Sequence, residues 1–353
     1  MYRILLVIFV SFVCFAGNSS AQSGRRKPSP TPTPQQIVGP SVSNLPVQSA
    51  TAVSTPTAKP AVKDESDEII KVASVLVPIP VSVLDGSGKA VTNLKLTDFE
   101  LKIDGKAATI SDLARSESPI RLAMLFDNSS SVLIARDFEK EAAVRFFRRV
   151  IRPDRDKAAL FSVADVTRLE QPITASVDSL TRAIDLFPEP AGATALLDGI
   201  ITVADYLKST NGRRVIVIVS DGEDTYSDST LESVLKTLQV DNCQVFVVKT
   251  TDFENYKRTG SRAGNANIRV LDAERRMQDI AAQTGGMVFS PIDEREVKDA
   301  FDRISAELSQ QYVLSYYPDD TTEKRGEFRE ISLSVKGKNL NVRTRKGYYV
   351  PKK

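Results

Sequence analysis

The sequence predicts a doubly wound α/β fold with a mostly parallel sheet, flanked by a β-sandwich-like module made from its N- and C-terminal segments. Three observations carry this reading. Between residues 121 and 310, short apolar runs alternate with helical patterns, and the runs lack polar alternation. Strands of that kind are buried on both faces, between two layers of helices. Residues 68–118 and 312–350 instead carry β patterns broken by turn signals. These two segments lie at opposite ends of the sequence, where domain termini often approach each other, and short β segments need partners. Pairing between residues 75–110 and 312–350 is therefore expected.

The elements follow in order. Arg3 precedes an apolar run over residues 4–16, and Ser19-Ser20-Ala21 offers small residues at −3 and −1. This predicts an export signal over residues 1–21, cut before Gln22. The run is shorter than the roughly 20 residues of a membrane span; an uncleaved anchor is the alternative, and the only expected membrane attachment. Cys14 sits inside the run behind Val13, a poor context for lipidation. Residues 22–65 are rich in Pro, Ser, Thr and Ala without hydrophobic periodicity, which predicts a disordered, partly polyproline tether. Arg25-Arg26-Lys27 reads as a solvated basic patch, or as a contact for an anionic surface.

Residues 66–118 form the expected N-terminal β segment. Residues 69–83 are rich in β-branched side chains, and Pro78 and Pro80 suit an edge strand. Asp85-Gly86-Ser87-Gly88 and Asp104-Gly105 are turn signals around the alternating Phe99-Glu100-Leu101-Lys102-Ile103. The α/β domain is expected over residues 119–310. Its strands are read at 122–126, 158–164, 214–219, 244–249 and 287–290, and its helices at 132–150, 178–187, 195–208, 231–238, 272–284 and 296–310. Residues 253–268 read as a polar insertion, either a partner-contact loop or a spacer. Residues 311–353 close the chain with strands at 312–317, 330–335 and 340–345. Tyr312, Tyr316, Tyr317, Tyr348 and Tyr349 read as strand-packing residues, with a ligand surface as the alternative.

Composition narrows the chemistry. The chain has 353 residues, a net charge of +2 and no histidine. No basic field points to nucleic acid. Ser-His-Asp and Cys-His mechanisms and His-ligated metals are excluded. Any metal would be held by oxygen, favouring Mg²⁺, Mn²⁺ or Ca²⁺. After signal cleavage Cys243 is the only cysteine, expected as a small buried hydrophobe.

In open parallel sheets ligands bind beyond the carboxyl ends of the strands, where the strand order reverses. Three loops leave such ends carrying hard-oxygen residues: Asp127-Asn128-Ser129-Ser130-Ser131, Gly192-Ala193-Thr194-Ala195-Leu196 and Ser220-Asp221-Gly222-Glu223-Asp224. Carboxylates and hydroxyls with water completing the shell suit Mg²⁺. Glu223, Asp224 and Asp228 crowd the same face, as a solvated acidic loop or as groups that tune cation affinity or add a second cation.

The series Asp127-x-Ser129-x-Ser131, then Thr194, then Asp221 resembles the metal-ion-dependent adhesion site of von Willebrand factor type A domains, which share the Rossmann-like doubly wound architecture. The words GATALLDGI and VIVIVSDGED around it agree. The resemblance implies that Ser129 and Ser131 coordinate directly. Thr194 coordinates directly or through water, and Asp127 and Asp221 often through water. It leaves one position open to a carboxylate from a partner. Ser130 stands where glycine is often seen, which removes no ligand. The flanks, LDGSGKAVTNLKLTDFELKIDGKAATI and the closing stretch from QQYVLSYYP to KGYYVP, are similar to segments of a bacterial group of type A-related proteins, so the resemblance spans about residues 70–351.

The expected function is a non-enzymatic, divalent-cation-dependent protein-binding or adhesion module outside the cytoplasm, periplasmic or secreted. Its partner presents an Asp or Glu carboxylate. The alternative is a metal-independent scaffold acting through its β module. No Gly-x-Ser-x-Gly elbow or P-loop supports an enzyme.

Overall fold

The computed structural model describes residues 76–115, 118–132, 136–262, 267–318, 326–337 and 339–350. The expected export signal and tether, residues 1–65, lie outside the described residues. The N-terminal strands are β1 (Val77–Leu84), β2 (Phe99–Ile103), β3 (Lys106–Ala108) and β4 (Ile110–Arg115). The α/β domain then runs β5 (Ile120–Asp127), α1 (Arg136–Val150), β6 (Lys157–Val163), β7 (Thr167–Thr174), α2 (Val177–Asp185), α3 (Leu196–Lys208), β8 (Arg213–Ser220), α4 (Leu231–Val240), β9 (Cys243–Lys249), α5 (Thr251–Thr259), α6 (Ile268–Thr284), β10 (Val288–Phe289) and α7 (Glu294–Gln310). It closes with β11 (Tyr312–Tyr316), β12 (Phe328–Val335), β13 (Asn341–Thr344) and β14 (Gly347–Tyr349).

The central sheet has the order β10-β9-β8-β5-β6-β7. All neighbours run parallel except β6 and β7. Because side chains alternate across a strand, β5 feeds two cores. Leu122, Met124 and Phe126 pack with α1, α2 and α7, while Ala123 and Leu125 pack with α3, α4 and α6. That double burial explains the unbroken apolar runs. The strand order reverses between β5 and β8, so their carboxyl ends frame the crevice that this topology offers to ligands.

Two elements depart from expectation. β7 was not anticipated: it is a half-polar antiparallel edge strand in a hairpin with β6, where Pro172 is tolerated. The polar insertion read at 253–268 begins instead as helix α5. Phe253 is buried and stacks on Phe138 with ring centroids 5.8 Å apart, and Gly260 ends the helix at φ 70. A single apolar anchor gave the sequence too little periodicity to reveal it.

The expected pairing of the chain's two ends is present. β1 lies between β11 and β13, β4 extends β11, and β12 pairs with β2, giving two antiparallel sheets, β13-β1-β11-β4 and β14-β12-β2-β3. Ile79, Val81, Leu314 and Tyr316 of one sheet meet Leu101, Ile103, Ile331 and Tyr348 of the other in a separate core. Tyr312, Tyr316 and Tyr348 are buried packing residues as expected, whereas Tyr317 is exposed. The expectation of an edge strand for Pro78 and Pro80 needs correction, because β1 is internal. The prolines survive because β13 pairs only from Val81 onward. On that open side the carbonyls of Pro78 and Pro80 accept from Arg345 Nη2 and Thr344 Oγ1, each at 2.8 Å. The sandwich is tied to α7 through Glu307, which accepts from Ser82 Oγ at 2.7 Å and from Arg343. Cys243 is buried, and burial pushes its thiol up to about 12.

Candidate functional site

β5 ends at Asp127 and β8 ends at Ser220, side by side at the reversal point. Asp127 is buried, and its two carboxylate oxygens are engaged from different loops. Oδ1 accepts the backbone N–H of Ser129 at 2.9 Å, and Oδ2 accepts the hydroxyl of Ser220 at 2.6 Å. Ser220 Oγ in turn accepts from Gly222 N at 2.9 Å. On the next residue, Asp221 Oδ1 accepts Glu223 N at 2.9 Å. Asn128 N donates to Val163 O at 2.7 Å, fixing the start of the first loop to β6.

The three loops are laced together by backbone bonds. Ser130 N and Oγ both point at Gly192 O, at 3.4 and 3.2 Å, and Ala191 N donates to Asn128 O at 2.9 Å. Gly192 has φ 85, a conformation that side chains seldom adopt. The hydroxyl of Ser130 thus adds a tie to the neighbouring loop. Thr194 O accepts Thr225 N and Tyr226 N at 2.9 and 3.0 Å, while Thr194 N donates to Thr225 Oγ1 at 3.1 Å. The first loop is therefore fastened to the second, and the second to the third. Asp127, Ser129, Thr194 and Asp221 lie on these linked loops, each no more than 9% exposed. The backbone of Ser131 falls in the short 3-10 turn Ser130–Val132, and its side chain lies outside the described residues.

The electrostatics favour a cation. Burial, and then the charge of Asp221, hold the Asp127 carboxyl up to about 6. Two carboxylates desolvated against each other are relieved by a nearby positive charge. Among the described residues no group of three or more Asp, Glu, Cys or His converges. A cation here would rest on two carboxylates, on hydroxyls and on water, a donor set that fits Mg²⁺ and its reluctance to dehydrate.

Further residues complete the surroundings. Arg136, at the start of α1, is buried between Phe187 and Phe126, with its guanidinium carbon 4.9 and 5.7 Å from the ring centroids. It donates to Asp127 O at 2.9 Å and to Asn128 Oδ1. One turn on, Glu139 is buried, and its Oε1 has no hydrogen-bond partner among the described residues. Burial pushes this carboxyl up to about 8; Arg136 pulls it down, and Glu254, Asp127 and Asp221 push it further up. Sequence reasoning passed over both, although Glu139 falls in phase with Ala142, Ala143 and Phe146 on the buried face of α1. It also treated Asp224 as part of a solvated acidic loop. Asp224 Oδ1 instead accepts Leu196 N and Leu197 N at 2.8 and 3.3 Å, supplying the N-terminal cap of α3 from the neighbouring loop. Asp228 is exposed, and its N–H donates to Asp198 Oδ2 at 3.0 Å.

The family model for the von Willebrand factor type A domain matches residues 122–303. The chain is similar to the solved structure of the conserved hypothetical protein BatB from Bacteroides thetaiotaomicron, at 18% identity and TM-score 0.42, over 53% of this chain and 98% of that one. It is similar to an aerotolerance-related membrane protein from Bacteroides fragilis, at 20% identity and TM-score 0.40, over 54% and 98%. A von Willebrand factor type A structure from Catenulispora acidiphila matches at 9% identity and TM-score 0.44, over 80% and 76%. No curated protein matches the chain.

Proposed function

We infer, for a chain that belongs to the von Willebrand factor type A domain family, a family often used in protein–protein interaction and adhesion, that it is a non-enzymatic module gripping a protein partner through a divalent cation. The cation is Mg²⁺, with Mn²⁺ and Ca²⁺ as alternatives. Asp127, Ser129, Ser131, Thr194 and Asp221 would hold it, and it would offer one open position to an Asp or Glu carboxylate of the partner. The working place is outside the cytoplasm, in the periplasm or secreted.

The observation that supports this reading is that two buried carboxylates, Ser129 and Thr194 sit on loops fastened to one another at the reversal point of the sheet. A second feature favours a protein over a small ligand. Val166, Leu186, Tyr226, Ile268 and Leu271 are each at least 50% exposed, and all belong to loops or helix ends on the carboxyl-end face of the sheet. Exposed apolar groups around a polar centre mark interaction surfaces. Most of the ligating oxygens are neutral hydroxyls, so a bound cation stays electrophilic enough to draw a carboxylate.

The test is thermal unfolding with and without Mg²⁺ or Mn²⁺, for the wild type and Asp127→Ala. A ligand at about 100 times its Kd that binds only the folded state adds roughly 2.7 kcal/mol, a clear rise in Tm. The wild type should shift and the variant should not. If neither shifts, the cation reading falls, and a scaffold acting through the β sandwich takes its place.

A further inference from the structure

A cavity of about 310 Å³ opens at the other end of the central sheet, between the α/β domain and the sandwich. Its wall includes the amino ends of β8 and β9 and, from the sandwich, Pro78, Pro80, Val313 and Arg345. β8 is 8 residues long, so at about 3.3 Å per residue the cavity lies some 23 Å from Ser220. It is distinct from the cation site.

Among the described residues, the charges that line it are all positive: Arg213, Arg214 and Arg345. Arg345 is the most telling of the three. It is 6% exposed, yet no described carboxylate pairs with it. Its Nη1 donates to Asn242 Oδ1 and its Nη2 to Pro78 O at 2.8 Å, both neutral oxygens, and its Nε, closed to solvent, has no hydrogen-bond partner among the described residues. The guanidinium carbon lies 5.7 Å from the ring centroid of Tyr348. Arg214 likewise donates to backbone carbonyls of Lys208, Thr210 and Asp241. The nearby Asp241 carboxylate pairs with Lys208 at 3.1 Å and does not line the cavity. Burying a guanidinium without an anion costs several kcal/mol. Burial lowers the pKa of Arg345 to about 10, in keeping with that cost.

We propose that this cavity is a binding site for a small organic carboxylate, its acid group among the guanidinium groups of Arg213, Arg214 and Arg345 and its apolar body against Pro78, Pro80 and Val313. A carboxylate would supply the anion that these guanidinium groups lack among the described residues, and the volume lies at the small end of ligand pockets, about 300–1,000 Å³. Both the α/β domain and the sandwich contribute to the wall, so the ligand would also fasten one to the other.

The experiment is isothermal titration calorimetry on the full chain with octanoate, octanamide and inorganic phosphate. Variants are Arg345→Met, and Val313→Trp to fill the space from a half-buried strand position. Octanoate is expected to bind the wild type, and octanamide roughly tenfold or more weakly, as befits loss of a charge-assisted bond. Both variants should lose octanoate binding while keeping their cooperative melt and any Mg²⁺-induced rise in Tm, which separates this site from the cation site. The proposal is overturned by absence of octanoate binding, by equal binding of octanamide, by phosphate binding in its place, or by undiminished octanoate binding in Arg345→Met.

Discussion

Glu139→Gln gives a direct reading of the electrostatics beneath the site. The Glu139 carboxyl is held at about 8 in the folded chain, against 4.5 for the ordinary group. Between those values the native state keeps a proton that the unfolded chain has released, so stability falls as pH rises through this window and levels off above it. At about 1.4 kcal/mol per pKa unit, the full effect is at most on the order of 5 kcal/mol. Gln mimics the protonated acid in shape and cannot ionise. Arg136 keeps its two oxygen acceptors, Asp127 O and Asn128 Oδ1, in the variant. Urea unfolding at pH 5, 7 and 9 should therefore give nearly equal stabilities at pH 5 and a variant more stable by several kcal/mol at pH 9. Saturating Mg²⁺ should flatten the wild-type slope, because Asp127 and Asp221 contribute to the Glu139 shift and a cation beside them opposes it. A stability difference that does not change with pH would refute the assignment of Glu139 as a buried, proton-holding group.

Three further outcomes test other parts of the structure. Ser220→Ala removes both the donor to Asp127 Oδ2 and the acceptor of Gly222 N; it should cost roughly 1–3 kcal/mol by denaturant unfolding and weaken any cation-induced rise in Tm. Asp224→Ala removes the acceptor for Leu196 N and Leu197 N at the start of α3, at a cost of about 1 kcal/mol, and should leave the m-value unchanged. Gly286→Ala would place a Cβ 1.8 Å from Val245 O. The backbone must shift to admit it, so a loss of roughly 3 kcal/mol or more is expected, or failure to accumulate as folded protein.

The sequence made the α/β order legible because β5, β6, β8 and β9 are buried on both faces, and burial on both faces leaves no polar alternation to mistake. The five positions of the expected cation site were visible because each sits directly after a strong strand or opens a helix. The elements that were missed lack such a signature. β7 is a half-polar edge, and α5 is anchored by Phe253 alone. Pro78 and Pro80 were assigned to an edge because a proline rule describes one side of a strand, and sequence does not say where a second partner strand begins. Arg136 and Glu139 were passed over within the helix read at 132–150, although the phase of α1 carried the information. Asp224 was grouped with its acidic neighbours because the amides it caps lie 28 residues away in the chain.

The interleaving of the chain's two ends also sets an order of assembly. Every central strand and helix of the α/β domain lies between residues 120 and 310, so that domain can condense from one uninterrupted stretch. The sandwich cannot. Val81 waits for Thr344 and Ile103 for Ile331, contacts spanning well over half the chain, and such distant pairings are the slow ones to form. During synthesis β1 to β4 therefore emerge ahead of the α/β domain and, apart from the β2–β3 hairpin, stay unpaired until residues 312–350 arrive. A prematurely terminated chain would hold an intact α/β domain beside an open sheet edge, the state most prone to aggregate. Arg345 and Pro78 face one cavity only once that closure is made, so the cavity itself marks a sandwich that has closed.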